Sequence, residues 1–325
     1  MVLKEETQSY NLKEKNVLVA GGTGLIGTIL TKKLIKLGIN VLSTFFSKEP
    51  PFLKENYKRF DFTKFEDCIE ATKDVECVLI CAAQTFGAKM MKENPTASIL
   101  PNLKINAGLL EACRLNDVEK VVLISSSTVY QEADYPILED QLDLNKPPYK
   151  FYLGVGWMNR YIEQLAKFYC KEYAMKVGII RPTNIYGPYD KFDDEKSHVI
   201  PALIKRALKK ENPYVVWGDG RAIRDFIYVE DFVQDMLEVV NKFCIGDPVN
   251  ISCGESTSIK DAVKVILDIC EHDVIPQYDE NKPSAIPYRM LSKVKFESIF
   301  GKKKRTSFRD GIKKTVEWYK STVTP

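Results

Sequence analysis

Short apolar runs alternate with longer amphipathic stretches through the first half of the chain. Residues 17–20, 41–44, 78–81, 121–125 and 177–180 are mostly β-branched or otherwise apolar, as expected of strands buried on both faces. Between the first two runs, Ile26, Leu30, Leu34 and Leu37 recur at helical spacing and predict an amphipathic helix over 25–37. Strand-like and helical patterns in alternation predict an α/β fold, a Rossmann-type doubly wound parallel sheet covered by helices on both sides. From Pro182 the pattern loosens, and Pro188, Pro201, Pro213 and Pro248 punctuate loops and short helices. This predicts a dinucleotide-binding domain over 1–181 and a smaller substrate-binding region over 182–325 whose chain partly returns to the first domain. No internal repeat or low-complexity segment interrupts the pattern.

Composition narrows the functional classes. The 325 residues, 45% hydrophobic and 28% charged, suit one large globular domain or two closely joined ones. A net charge of +3 argues against a dedicated nucleic-acid binder, and the basic run 302–305 beside Gly301 reads as a solvated loop. No apolar stretch reaches membrane-spanning length, and the polar, charged start of the chain lacks the apolar core of a signal peptide. Eight scattered cysteines without a C-x-x-C pair fit reduced thiols in a cytoplasmic protein. The two histidines, His198 and His272, stand in no metal-ligand spacing, so no structural metal is expected.

The strongest chemical signal is G-G-T-G-L-I-G directly after the first strand. Gly21 lets the chain turn out of the strand, Gly24 lets backbone approach a pyrophosphate, and Gly27 lets the helix pack closely on the sheet. Thr23, Leu25 and Ile26 complete the turn, whose helix N-terminus offers unpaired N–H groups and a positive dipole to the phosphates. A strand before and a helix after make this a dinucleotide-binding fingerprint for NAD or NADP. The acid that would bind a ribose diol at the end of the second strand is missing. Ser47 and Lys48 stand there instead, suited to a 2′-phosphate, and favour NADP over NAD. Asp61, followed by Phe62, is placed after the third strand to accept from the adenine amino group. Ala82 and Ala83 have side chains small enough for close cofactor approach.

Five segments together resemble the extended short-chain dehydrogenase/reductases that act on nucleotide sugars: G-G-T-G-L-I-G, C-A-A-Q-T at 81–85, S-S-S-T-V-Y at 125–130, R-P-T-N-I-Y-G-P at 181–188 and R-D-F-I-Y-V-E-D at 224–231. Within that group, P-T-N-I-Y-G-P-Y-D and S-H-V-I-P-A-L are similar to the GDP-4-keto-6-deoxymannose epimerase/reductases. The resemblance implies that Ser126 hydrogen-bonds the sugar hydroxyl or ketone and that Asn184 and Arg224 contact the substrate diphosphate or its ribose. Trp217 and Arg289 join the substrate-binding candidates, and Pro182 the cofactor-binding ones. His198 falls at the position of the epimerisation acid, and a histidine suits proton transfer beside a ketone because the residue type titrates near neutrality.

The departures matter as much. Counting back from Pro182, the family's catalytic tyrosine and lysine fall at Val155 and Asn159, with Glu163 keeping the register. The epimerisation cysteine falls at Thr128. Valine cannot move a proton, and asparagine supplies no cation to lower a phenol's pKa. Loss of a positioned acid/base costs roughly 10²–10⁴ in rate. Tyr152, Tyr149 and Tyr130 are the candidate substitutes. Two classes of function stay open: a nucleotide-sugar enzyme using His198, Ser126 and Thr128, and a catalytically silent protein that binds a nucleotide sugar and a dinucleotide as a partner subunit or sensor. Apolar residues along 107–113 and 161–169, read with the family resemblance, predict a homodimer through a four-helix interface.

Overall fold

The computed structural model describes residues 10–193, 197–282 and 286–322. Most of the polar start of the chain, 1–9, lies outside the described residues. The strands are β1 (Asn16–Ala20), β2 (Asn40–Phe45), β3 (Tyr57–Arg59), β4 (Cys77–Ile80), β5 (Lys120–Ile124), β6 (Val177–Pro182), β7 (Asn184–Tyr186), β8 (Val215–Trp217), β9 (Ile223–Tyr228), β10 (Pro248–Ile251), β11 (Ser256–Ser258), β12 (Gln277–Asp279) and β13 (Tyr288–Arg289). The helices are α1 (Leu25–Lys36), α2 (Phe65–Ala71), α3 (Ala88–Glu93), α4 (Ile99–Leu115), α5 (Leu153–Tyr173), α6 (Val199–Leu208), α7 (Val229–Lys242), α8 (Ile259–Ile269), α9 (Val294–Phe300) and α10 (Phe308–Thr322).

The main sheet has seven strands in the order β10-β6-β5-β4-β1-β2-β3, and every pairing in it is parallel. The alternating side chains of β1 divide the core: Val17 and Val19 join one cluster with Leu30 and Leu34. Leu18 and Ala20 join the other with Leu109 and Ile162. This two-sided burial is why the strands read as continuous apolar runs. Strand order reverses between β1 and β4, the switch point where ligands settle in open α/β sheets. A second sheet is built around β9, flanked by β11 and β13 and joined by β7, while β8 pairs with β12.

One polar network lies within the packed interior. Arg181 on β6 donates to Glu163 on α5 through Nε at 2.9 Å and Nη2 at 2.6 Å, and both side chains are essentially sealed from solvent. Ser125 donates to the same carboxylate at 2.5 Å. Arg181 Nη1 donates to the Tyr130 hydroxyl at 2.8 Å, which donates in turn to Asn250 Oδ1 on β10 at 2.7 Å. Tyr130 is therefore bonded on both sides and fully buried. It is a strut, which takes it out of the candidate substitute acids.

Truncating one partner of such a pair leaves an uncompensated buried charge. Glu163→Ala should lose about 3–5 kcal/mol of stability in urea unfolding. The double variant Glu163→Leu with Arg181→Met should lose less than that. A single truncation costing under about 1 kcal/mol, the range of exposed pairs, would show the network to be dispensable.

Candidate functional site

The glycine turn is built as the sequence requires. Gly21 has φ +87°, and a Cβ there would come within 2.6 Å of Ala82 backbone. The backbone leaving β1 thus lies closer to the backbone leaving β4 than any side chain permits. A Cβ on Gly27 would meet Gly21 O at 2.1 Å, so α1 can lie against the turn only with glycine there. Gly24 is different. Its Cβ would find the nearest protein atom at 3.9 Å, and it is exposed. Gly24 is the N-cap of α1 and supplies no side-chain cap, and the first turn of α1 carries no acid. The N–H groups of Leu25 and Ile26 are thus left for an anion. Thr23 is buried beneath the turn. This cradle fits the pyrophosphate of a dinucleotide.

At the ends of β2 and β3, Ser47 and Lys48 are exposed. Arg59, which the sequence reading did not single out, donates through Nε to Phe46 O at 3.0 Å and lies 5.7 Å over the Phe46 ring. Two cations and an exposed aromatic ring therefore occupy the place of the missing acid. Asp61 Oδ1 accepts from Thr63 N at 3.1 Å and from Thr63 Oγ1 at 2.7 Å. Those bonds hold its carboxyl below the ordinary aspartate range. The Phe62 ring is buried in the core, so only its backbone is placed to meet a ligand. Ala82 packs on the glycine turn and Ala83 is exposed. Pro182 is buried at the end of β6, and the Thr183 hydroxyl beside it is buried without a partner. Only structure reveals that orphan hydroxyl, because nothing in the sequence marks it.

Ser126 caps a short 3₁₀ turn, its Oγ accepting from Thr128 N at 3.1 Å. The N-terminal end of α5 lies against this turn. A Cβ on Gly156 would come within 2.6 Å of Thr128 O, Asn159 Nδ2 donates to Thr128 Oγ1 at 3.4 Å, and Arg160 Nε donates to Val129 O at 2.6 Å. Val155 is half-buried and packs into the core. Asn159 thus faces the serine segment, where it offers an amide.

Arg224 on β9 and Arg289 on β13 stand directly opposite each other in the parallel ladder, and both are buried. Among the described residues their bonds run to backbone: Arg224 to Ile223 O, and Arg289 to Gln131 O and Tyr130 O. Among the described residues no carboxylate pairs with either. Burial pulls both guanidinium groups below the ordinary arginine range, Arg289 to about 10. Two desolvated cations side by side are chemically suited to an anion. Tyr152 lies close enough to feel both charges, although burial still raises its phenol above the usual tyrosine range. Asn184 donates to Asp225 O at 3.0 Å and ties β7 to β9. Trp217 stands on the separate β8–β12 pair, partly exposed. His198 is the N-cap of α6, and its Nδ1 lies 3.9 Å from Asp190 Oδ1. Asp190 was not among the residues marked by the sequence, though it closes the P-T-N-I-Y-G-P-Y-D segment.

The two glycines should separate by variant. Gly24→Val should abolish nicotinamide-dinucleotide binding in calorimetry and leave Tm unchanged. Gly27→Ala should cost about 1–3 kcal/mol in stability through overpacking. Unchanged dinucleotide affinity in Gly24→Val would remove the turn from the cofactor site.

Comparison with known proteins agrees with this architecture. The profile of the NAD dependent epimerase/dehydratase family matches residues 17–252. GDP-L-fucose synthase 1 of Arabidopsis thaliana is 27% identical, over 98% of this chain and 97% of its own length. The GDP-L-fucose synthase of Escherichia coli K12 is 24% identical, over 95% and 97%. Among solved structures, a GDP-L-fucose synthetase from Naegleria fowleri bound to NADP superposes with a TM-score of 0.85 at 24% identity, covering 99% of this chain and 98% of that one. UDP-glucose 4-epimerase of Thermotoga maritima gives 0.84 at 25% identity, covering 95% and 99%. With the dinucleotide turn, the parallel sheet and the profile in agreement, the chain belongs to the NAD-dependent epimerase/dehydratase family of nucleotide-sugar epimerases and reductases.

Proposed function

We propose that the protein is a cytoplasmic enzyme acting on a nucleotide-linked hexose, a GDP-hexose first, with tightly bound NADP and an atypical active site. The observation that carries the substrate class is the buried Arg224–Arg289 pair, which pairs with no carboxylate among the described residues. A diphosphate supplies the missing charge in a bidentate geometry suited to guanidinium groups. The preference for NADP rests on Lys48 and Arg59 standing where a ribose-binding acid is absent. Gly21, Thr23, Gly24, Leu25, Ile26 and Gly27 hold the pyrophosphate. The cofactor supplies a hydride donor or acceptor. Residues 182–325 hold the sugar nucleotide, with β10 returned to the main sheet.

The chain's own groups supply proton chemistry. His198 takes the proton from the carbon next to a sugar ketone, and the electron pair moves onto the ketone oxygen. The hydroxyls of Ser126 and Thr128 hydrogen-bond that oxygen. Return of the proton from His198 restores the ketone. Val155 and Asn159 offer no acid for the oxygen that a hydride transfer would leave negative, so classical reduction is slow. In this reading Tyr152 lies beside the diphosphate cations.

The same proposal makes the enzyme a homodimer. Trp157, Tyr161 and Phe168 form an exposed stripe along α5, with Leu100 and Leu115 exposed on α4 beside it. The apolar residues of 107–113 contribute less than their sequence suggested, because Leu109, Leu110, Ala112 and Cys113 are turned into the core. Tyr161→Glu with Phe168→Glu should yield a monomer in light scattering. A wild-type chain that is monomeric at all concentrations would end the dimer proposal.

With GDP-4-keto-6-deoxyhexose in deuterated water, the wild type should exchange the hydrogen beside the ketone faster than it reduces the ketone. His198→Asn should slow exchange roughly 10²–10⁴-fold, and Arg289→Met should weaken binding of the nucleotide sugar. Ordinary reduction that survives His198→Asn would refute the reading and pass the acid to Tyr152. Binding without exchange would make the protein the silent binding subunit.

A further inference from the structure

Resting on the proton-transfer reading of His198, a second residue, Asp190, stands beside that histidine. Asp190 is only 8% exposed. Its Oδ1 accepts from Lys191 N at 2.7 Å, while its Oδ2 is buried without a hydrogen-bond partner. An open acceptor on a desolvated carboxylate is costly unless a donor completes it. His198 Nδ1 lies 3.9 Å from Oδ1. The backbone of His198 is anchored, since its carbonyl accepts from Ala202 N at 3.2 Å in the first turn of α6. Its side chain is 45% exposed and has room to turn.

Considerable structure goes into placing this carboxylate. Tyr189 just before it has φ 70°, a left-handed conformation that costs a side-chain-bearing residue about 1–3 kcal/mol. Tyr189 is held from two sides. Lys32 of α1 hydrogen-bonds its hydroxyl and lies 4.7 Å over its ring. Trp318 of α10 packs on the same ring with centroids 4.9 Å apart. Phe192 beyond Asp190 packs on Trp318 and Tyr319. An aspartate fixed this firmly beside a movable imidazole is suited to orient it.

We propose that Asp190 is the positioning residue for His198. Its carboxylate accepts a hydrogen bond from Nδ1–H, selects the tautomer with Nε2 unprotonated, and turns Nε2 toward the substrate as the base. A small rotation of the imidazole closes the present gap, as catalytic hydrogen bonds commonly tighten when substrate binds. The other cations around Asp190 are Lys48 and Lys191, and Lys191 Nζ is itself bonded to Thr85 O and Oγ1 at 2.8 and 3.0 Å. The rival role for Asp190 is therefore as a counter-charge to Lys48 at the cofactor's 2′ end.

The test is Asp190→Ala in the full chain, with Asp190→Asn as the volume-preserving variant should alanine fail to fold. Ring nitrogen chemical shifts of His198, from ¹⁵N-histidine labelling, should show Nδ1–H in the wild type and a shift toward Nε2–H in the variant. Turnover for solvent exchange beside the ketone of GDP-4-keto-6-deoxyhexose should fall about 10²-fold, with KM little changed. The tautomer readout needs no turnover, so it stands even if His198→Asn shows that histidine is not the proton carrier. Unchanged ring shifts in a folded variant overturn the proposal. So does a variant whose only change is weaker affinity for NADP relative to NAD, which assigns Asp190 to Lys48.

Discussion

Two charges removed from water set the geometry on which the site depends. The Arg181–Glu163 pair joins β6 to α5, and through Ser125, Tyr130 and Asn250 it extends to β5 and β10. Buried ion pairs repay desolvation only when their geometry is good and the remaining lone pairs are satisfied. Here one carboxylate oxygen serves both Arg181 and Ser125, and the guanidinium reaches three partners. The consequence is rotational. With Glu163 locked, α5 cannot turn about its axis, so Asn159 must face Thr128 and Val155 must face the core. The residues at the expected tyrosine and lysine positions are placed by the pair beneath them.

The two halves of the site are held by different physics. The glycine turn is steric: Gly21 and Gly27 exist because backbone comes closer there than a methyl group allows. The Arg224–Arg289 side is electrostatic. Arg224 and Arg289 are brought together by strand register, and among the described residues their hydrogen bonds go to backbone oxygens. A steric site keeps its shape without ligand. An electrostatic site of unpaired cations leaves a binding free energy unrealised until an anion arrives.

The sheet was legible because each central strand is buried on both faces. Runs such as 78–81 and 121–125 therefore needed no tertiary information, and their boundaries hold to within one residue. The glycine turn was legible for the same reason, as a local steric requirement written in local residues. What could not be read was pairing across distance. Arg289 meets Arg224 through a two-residue strand with no periodicity of its own. Asp190 meets His198 across a loop, and Arg59 becomes a neighbour of Phe46 only through the β2–β3 ladder. Tyr130 shows the converse. Its place after the serine segment suggested chemistry, and its bonds to Arg181 and Asn250 assign it to the frame.

The packing of Trp318 on Tyr189 gives the folding of this chain a direction. Helix α10 follows every other element named here, and its aromatic face backs the turn that presents Asp190. During synthesis the parallel sheet and the glycine turn can form while later residues are still being added. The turn at Tyr189 and Asp190 receives its backing only after residue 318 has emerged. The glycine turn is thus complete in the chain well before the element that backs the Asp190 turn has been made.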